Sequence, residues 1–289
     1  MNGACKERWK LVGTQPSDQF VRQFTAATSL QIFFASDGTA GPQYLKSFST
    51  STDTFADESL TGSPLDYVYF SNAVGYLGSY YYFGNSAASL YSGATAWTPL
   101  SYATEAQVYR PSVVASLTTR RIYKFGGFND IGPALKRATA YDPEKNVWQT
   151  SGLTDMPIGL EGACVGEAGG KIYLVGGFLD VDTDTRGVEF NTRLLVYDEA
   201  GNSWANLPPA GAGPTCFTSE QLVAWGSRFV VVDNNALWNL DRQTLVWRPI
   251  ATFPNVQAAF VVVATNLGLY LVGYQTSPSA TLVYKWMFN

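Results

Sequence analysis

Short apolar runs rich in Ile, Val, Tyr and Phe recur along the chain, each ending in a small or polar doublet. They read QIFFASD (Ser36-Asp37), YYYFGN (Gly84-Asn85), RIYKFGGF (Gly126-Gly127), KIYLVGGF (Gly176-Gly177), RFVVVDN (Asp233-Asn234) and LYLVGY (Gly273-Tyr274). β-Branched and aromatic residues bounded by Gly, Asn, Asp or Ser predict strands. After five of these runs comes a second pattern, an aromatic seven residues beyond a Tyr, Leu or Phe: Phe48/Phe55, Leu90/Trp97, Tyr141/Trp148, Tyr197/Trp204 and Leu240/Trp247. Each pair closes a strand–turn–strand. The second members stand 42 to 56 residues apart, a period that marks a repeat architecture. The chain reads as all-β.

A strand, a Gly-Gly doublet, a variable loop, then Tyr, six residues and Trp together resemble the Kelch repeat. The motif is complete around Gly126 and Gly176, while the other units keep the hydrophobic pattern and lose glycines. The resemblance implies a six-bladed β-propeller of four-stranded blades. The sixth unit stops five residues after Tyr284, short of its outer strand. Trp9, in CKERWKLVG, has the setting of Trp204 in GNSWANLP. Residues about 6–13 are therefore expected to form the outer strand of the final blade with 267–289, closing the ring and removing its sheet edges. A β-sandwich with coincidental spacing is the alternative.

No linker or charge run interrupts the repeats, so residues 1–289 read as one Kelch-like domain. Hydrophobic residues (46%) and aromatics (15%) are ample for cores between blades, while charged residues are only 15% against about 25% in an average protein. Such a surface suits neutral polar ligands and dry contacts. A net charge of −4 argues against nucleic acid, whose phosphates demand clustered Lys and Arg. The longest apolar stretch, Ala258 to Gly273, is broken by Thr265 and Asn266 and reads as two strands, not a membrane span. Lys6, Glu7, Arg8 and Lys10 occupy the place of a signal core. The expectation is a soluble, cytoplasmic protein, with secretion or a periplasmic location left open if a leader was removed. Cys5, Cys164 and Cys216 have unrelated spacings and read as thiols, the latter two as small buried hydrophobes, in keeping with a reducing compartment.

The chain has no histidine. Ser-His-Asp and Cys-His catalysis are excluded, as are Cys₂His₂, His₃ and His₂Glu zinc sites. Relatives by resemblance that hold iron through Glu, Asp and His, or copper through His, differ from this chain on that ground. Asp180, Asp182 and Asp184 match positions 1, 3 and 5 of a calcium loop, but Thr185 stands at position 6 and Asn191 at position 12. A solvated loop is the reading, with an adventitious Ca²⁺ site as its alternative. No phosphate-binding glycine motif occurs. No metal and no cofactor are expected.

Propeller geometry directs the search for a site. In a blade of strands A (inner) to D (outer), the B–C loops and D–A connections share one face. The B–C loops near 128–138 and 178–193 are the longest and belong to adjacent blades; insertions gather on the binding face. They should raise a rim bearing Phe128, Asn129, Asp130, Lys136, Arg137, Phe178, Asp182, Arg186 and Glu189. Where strand A opens, Arg22, Tyr69, Arg110, Glu161, Phe217 and Gln257 should surround the channel mouth. Arg110 and Glu161, from neighbouring blades, either satisfy one another or converge on a ligand carboxylate or sugar hydroxyls. The function expected is binding of a ligand, protein or peptide on this face by a monomer. Two alternatives are a sugar-processing enzyme similar to the sialic acid mutarotases, with Glu161 as base and Arg110 as anchor, and a lectin-like propeller. Both would take a small neutral or acidic sugar.

Overall fold

The computed structural model describes residues 8–16, 25–35, 45–58, 72–83, 88–93, 96–101, 108–129, 133–179, 189–208, 213–216, 221–233, 236–252, 258–276 and 278–287. Among them lie 24 strands in six four-stranded antiparallel sheets. Blade 1 comprises β2 (Thr25–Ala27), β3 (Gln31–Ala35), β4 (Leu45–Ser49) and β5 (Thr54–Glu58). Blade 2 is β6 (Asn72–Tyr76), β7 (Ser79–Phe83), β8 (Ala88–Tyr91) and β9 (Thr98–Leu100). Blade 3 is β10 (Ser112–Ser116), β11 (Arg121–Phe125), β12 (Ala138–Asp142) and β13 (Val147–Gln149). Blade 4 is β14 (Cys164–Glu167), β15 (Lys171–Val175), β16 (Leu194–Asp198) and β17 (Ser203–Leu207). Blade 5 is β18 (Val223–Trp225), β19 (Arg228–Asp233), β20 (Ala236–Asp241) and β21 (Trp247–Thr252). Blade 6 takes β22 (Ala258–Thr265), β23 (Gly268–Thr276) and β24 (Ser279–Met287) from one end of the chain and β1 (Arg8–Pro16) from the other.

Each blade is apolar on both faces, so each must bury both against neighbours. Six clusters of buried side chains result, one at every junction between consecutive blades. The junction of blades 6 and 1, built on Ile32, Phe48, Val261 and Tyr270, makes the array a closed six-bladed β-propeller. The seam is as expected: Trp9 stands opposite Trp286 in the register of β1 and β24, their rings 4.7 Å apart edge to face.

The recurring Tyr and Trp have a structural task. Tyr197 donates its phenol hydrogen to Asn202 Oδ1 at 2.7 Å. The same amide accepts from Thr154 N and donates to Gly152 O, while Trp204 Nε1 donates to Thr154 O. Blade 4 thereby grips the chain leaving blade 3. Tyr141, Asn146, Trp148 and Ser101 repeat this between blades 3 and 2. Both asparagines are left-handed, at φ 53° and 44°, a conformation Asn tolerates better than most residues. Burial pushes both phenols up to about 12, so they remain donors at any physiological pH. Where Tyr is replaced by Phe48, Leu90 or Leu240, residue +5 is Asp53, Thr95 or Leu245: the phenol and its amide acceptor occur together or not at all.

The glycine doublets exist for close approach. A Cβ on Gly176 (φ 66°) would lie 2.0 Å from Thr215 O, and one on Gly126 (φ 62°) 2.1 Å from Leu160 O. At these points blades 3 and 4 receive the backbone arriving at the next blade.

The cysteines require a correction. Cys164 and Cys216 are buried as expected, but they form a disulfide, with Cα atoms 5.4 Å apart. The ring is the reason: their separation of 52 residues is close to one repeat, which places them on adjacent blades. The cysteine pattern therefore gives no support to a reducing compartment. Among the described residues no helix is long and apolar enough to cross a membrane.

Candidate functional site

On the upper face, where B–C loops and D–A connections meet, the residues described lie mainly at blades 3 and 4. Two antiparallel bridges organise it. Tyr109 and Phe128 exchange backbone hydrogen bonds at 2.9 and 3.0 Å, and Glu161 and Phe178 do so at 3.1 and 2.8 Å. Each bridge holds the segment just before an inner strand against the loop leaving Gly127 or Gly177. Gly162 N then donates to Arg110 O at 3.0 Å, which joins the two bridges side by side. Below them Asn72 Nδ2 donates to Pro111 O and Ser112 Oγ to Ala163 O, lacing blades 2, 3 and 4 at the channel.

This lacing brings Arg110 and Glu161 together. Arg110 Nη1 lies 3.3 Å from Glu161 Oε1, the arginine side chain 30% exposed and the glutamate 11%. Arg110 is itself left-handed, φ 49°, a costly conformation for a long side chain that its surroundings impose. Burial raises the Glu161 carboxyl above its ordinary value, and the Arg110 charge offsets only part of that rise. Tyr109 lies over Phe128 (centroids 5.3 Å apart) and Phe178 over Phe190 (5.0 Å), so the ion pair is flanked by two aromatic pairs.

Of the residues expected here, Arg110, Glu161, Phe128 and Phe178 thus come together. The two phenylalanines are half-buried, each covered by a ring, because the backbone bridges turn them inward; the exposed ring is Phe190. Asn129 is half-buried beside Phe128, and Glu189 is exposed next to Phe190. Arg137 is exposed and donates to Thr150 O at 3.1 Å, and Lys136 is exposed beside it. Arg22, Tyr69, Asp130, Asp182, Arg186, Phe217 and Gln257 lie outside the described residues, as do Asp180 and Asp184. Sequence reasoning missed Tyr109 and Phe190, although both adjoin nominated positions. Among the described residues no three of Asp, Glu and Cys gather in a way that could hold a metal ion.

A pH experiment tests the glutamate's setting. Because its folded value is raised, Glu161 contributes stability that is fully present below its ordinary value of 4.5 and is lost as pH rises through the folded value. The difference in Tm between the native protein and Glu161→Gln should therefore change in the window just above pH 4.5, moving in favour of the glutamine as pH rises. Parallel curves would show that the carboxyl is not perturbed.

Fold and repeat define the class, a six-bladed β-propeller. A family model described as a Kelch motif matches residues 162–211, the span of blade 4. Among characterised proteins, alpha-scruin of Limulus polyphemus is 26% identical over 164 residues, which make up 53% of this chain and 17% of alpha-scruin. The match thus takes in well under two thirds of that relative's length.

Proposed function

We propose that this propeller is a binding module that holds a protein or peptide partner on its upper face, centred on blades 3 and 4. The observation that carries the reading is the Arg110–Glu161 pair at the channel mouth with an aromatic pair on either side. Arginine and aromatic side chains in a partly desolvated centre are the usual anchors of an interface. Absence of histidine and the class of fold favour binding over catalysis, since Kelch propellers in general engage protein partners.

Peptides selected from a displayed library on the native protein provide the test. Their affinity should fall at least tenfold for Arg110→Ala and for Phe178→Ala, the size of loss expected at an interface anchor. Undiminished binding by both variants would refute the reading. One observation favours a second possibility: a buried, raised carboxyl beside a cation can serve acid–base chemistry on a sugar. On that reading Glu161→Gln would abolish turnover of a sugar acid while leaving its binding measurable.

A further inference from the structure

Blade 5 departs from the repeat on the face it turns towards blade 6, where Val230, Val232 and Leu237 pack with Val262 and Leu271. The positions preceding Tyr141, Tyr197 and Tyr284 hold Ala140, Val196 and Val283, all buried. In blade 1 the same position is Ser47, whose hydroxyl donates to Glu58 Oε1 at 2.6 Å. In blade 5, opposite Val230, it is Asn239, which is only 3% exposed. Among the described residues no group bonds to the Asn239 amide. A buried polar group without a partner is costly, and such exceptions call for an explanation.

Two arginines flank this amide. Arg228 stands opposite Asp241 in the register of blade 5, and Arg248 opposite Asn239. Blade 3 has the same grid, with Arg121 in the place of Arg228 and Gln149 in that of Arg248. There Arg121 Nη1 donates to Gln149 Oε1 across the middle strand. An arginine at the start of the second strand thus reaches the position that Arg248 holds in blade 5. Arginine in place of that glutamine converts a satisfied pair into two like charges on either side of a bare amide. Among the described residues neither guanidinium has a hydrogen-bonded or ion-paired partner.

Arg228, Asn239, Asp241 and Arg248 line one cavity of about 320 Å³, a size ordinary for a small-molecule pocket. Pro249 and Ile250 give it an apolar wall. Asp241 limits the charge that the cavity accepts. Its Oδ1 takes the amide hydrogens of Thr244 and Gln243 at 3.0 and 2.9 Å, and these bonds hold its carboxyl below the ordinary value. It is therefore ionised at neutral pH, and two guanidiniums against one carboxylate leave a surplus of one positive charge. A carboxylate satisfies that surplus better than a doubly charged phosphate. The arginine fork matches the two oxygens of a carboxylate, and Asn239 Nδ2 is a further donor. Asn239 Oδ1 and the Asp241 carboxylate are acceptors, which hydroxyl groups on the same ligand would satisfy.

We propose that this cavity of blade 5 binds a small hydroxy acid, its carboxylate held between Arg228 and Arg248 over the Asn239 amide and its hydroxyls directed to Asp241.

The probe is D-gluconate, titrated into the full chain and followed by calorimetry and by heteronuclear NMR of the side-chain amides. Saturable binding is expected, with the Asn239 amide shifted. Glucose, which lacks the carboxylate, and hexanoate, which lacks the hydroxyls, should each bind at least about tenfold more weakly. Arg248→Gln recreates the self-satisfied pair of blade 3 and should lower affinity by about tenfold or more without loss of Tm. Asn239→Val, which installs the blade 4 residue, should abolish binding and raise Tm, because it removes a buried amide that has no partner. Absence of saturable gluconate binding would overturn the proposal, as would affinity unchanged by Arg248→Gln. Inorganic phosphate binding more tightly than gluconate would refute the choice of ligand. A lower Tm for Asn239→Val would give the amide a structural task and equally count against the site.

Discussion

Removal of residues 1–16 is expected to destroy the native ring. β1 fills two roles. It pairs with β24 from Arg8 opposite Met287 to Pro16 opposite Ala280, so without it β24 presents an open edge of nine residues. It also lies against blade 1: Val12 packs into the cluster of Ile32, Phe48 and Tyr270, and Gly13 is so close to the Phe48 and Phe55 rings that a Cβ would stand 2.5 Å from the first. The truncated chain should lose its cooperative thermal transition and aggregate through the exposed edge. Trp9→Ala is the graded version. Trp9 packs on Trp286 and against the blade 5–6 cluster, and truncation of a large core aromatic costs about 3 kcal/mol, equivalent to roughly 5 °C in Tm for a chain of this size. A truncated protein with an unchanged melting transition would show that the seam is dispensable.

The second large effect concerns the Cys164–Cys216 crosslink. It ties the start of β14, three residues past Glu161, to the connection entering blade 5, whose Thr215 accepts from Gly177 N and donates to Asp233. Closing a loop of 52 residues restricts the unfolded chain by about 4 kcal/mol in the chain-entropy account. Reduction, or Cys216→Ser, should lower Tm by roughly 7 °C, and Cys5→Ser should leave it unaltered. Mass spectrometry of the unreduced protein should recover the Cys164 and Cys216 peptides as one linked species. Free thiols at both positions, with a Tm indifferent to reductant, would remove the crosslink from the account.

The architecture was legible in the sequence for a physical reason. A blade must bury two faces and turn sharply, so the need for strand formers, glycine and bulky aromatics recurs with every unit. Trp9 was readable because it copied the setting of Trp204, and the Arg110–Glu161 meeting because equivalent positions in neighbouring repeats become neighbours in space. The disulfide was missed by treating 52 as an unrelated spacing, when it is nearly one repeat. The half-burial of Phe128 and Phe178 was hidden because it depends on backbone bridges to Tyr109 and Glu161, which side-chain patterns do not encode.

The opposition of Arg8 and Met287 across the seam makes the chain topologically indifferent to where it is cut. Joining its two ends by a short tether and reopening it at another hairpin would give a circular permutant with the same six sheets. In such a permutant the pairing of the first and last strands of the hoop would be made in a different blade, which turns the position of the suture into an adjustable parameter.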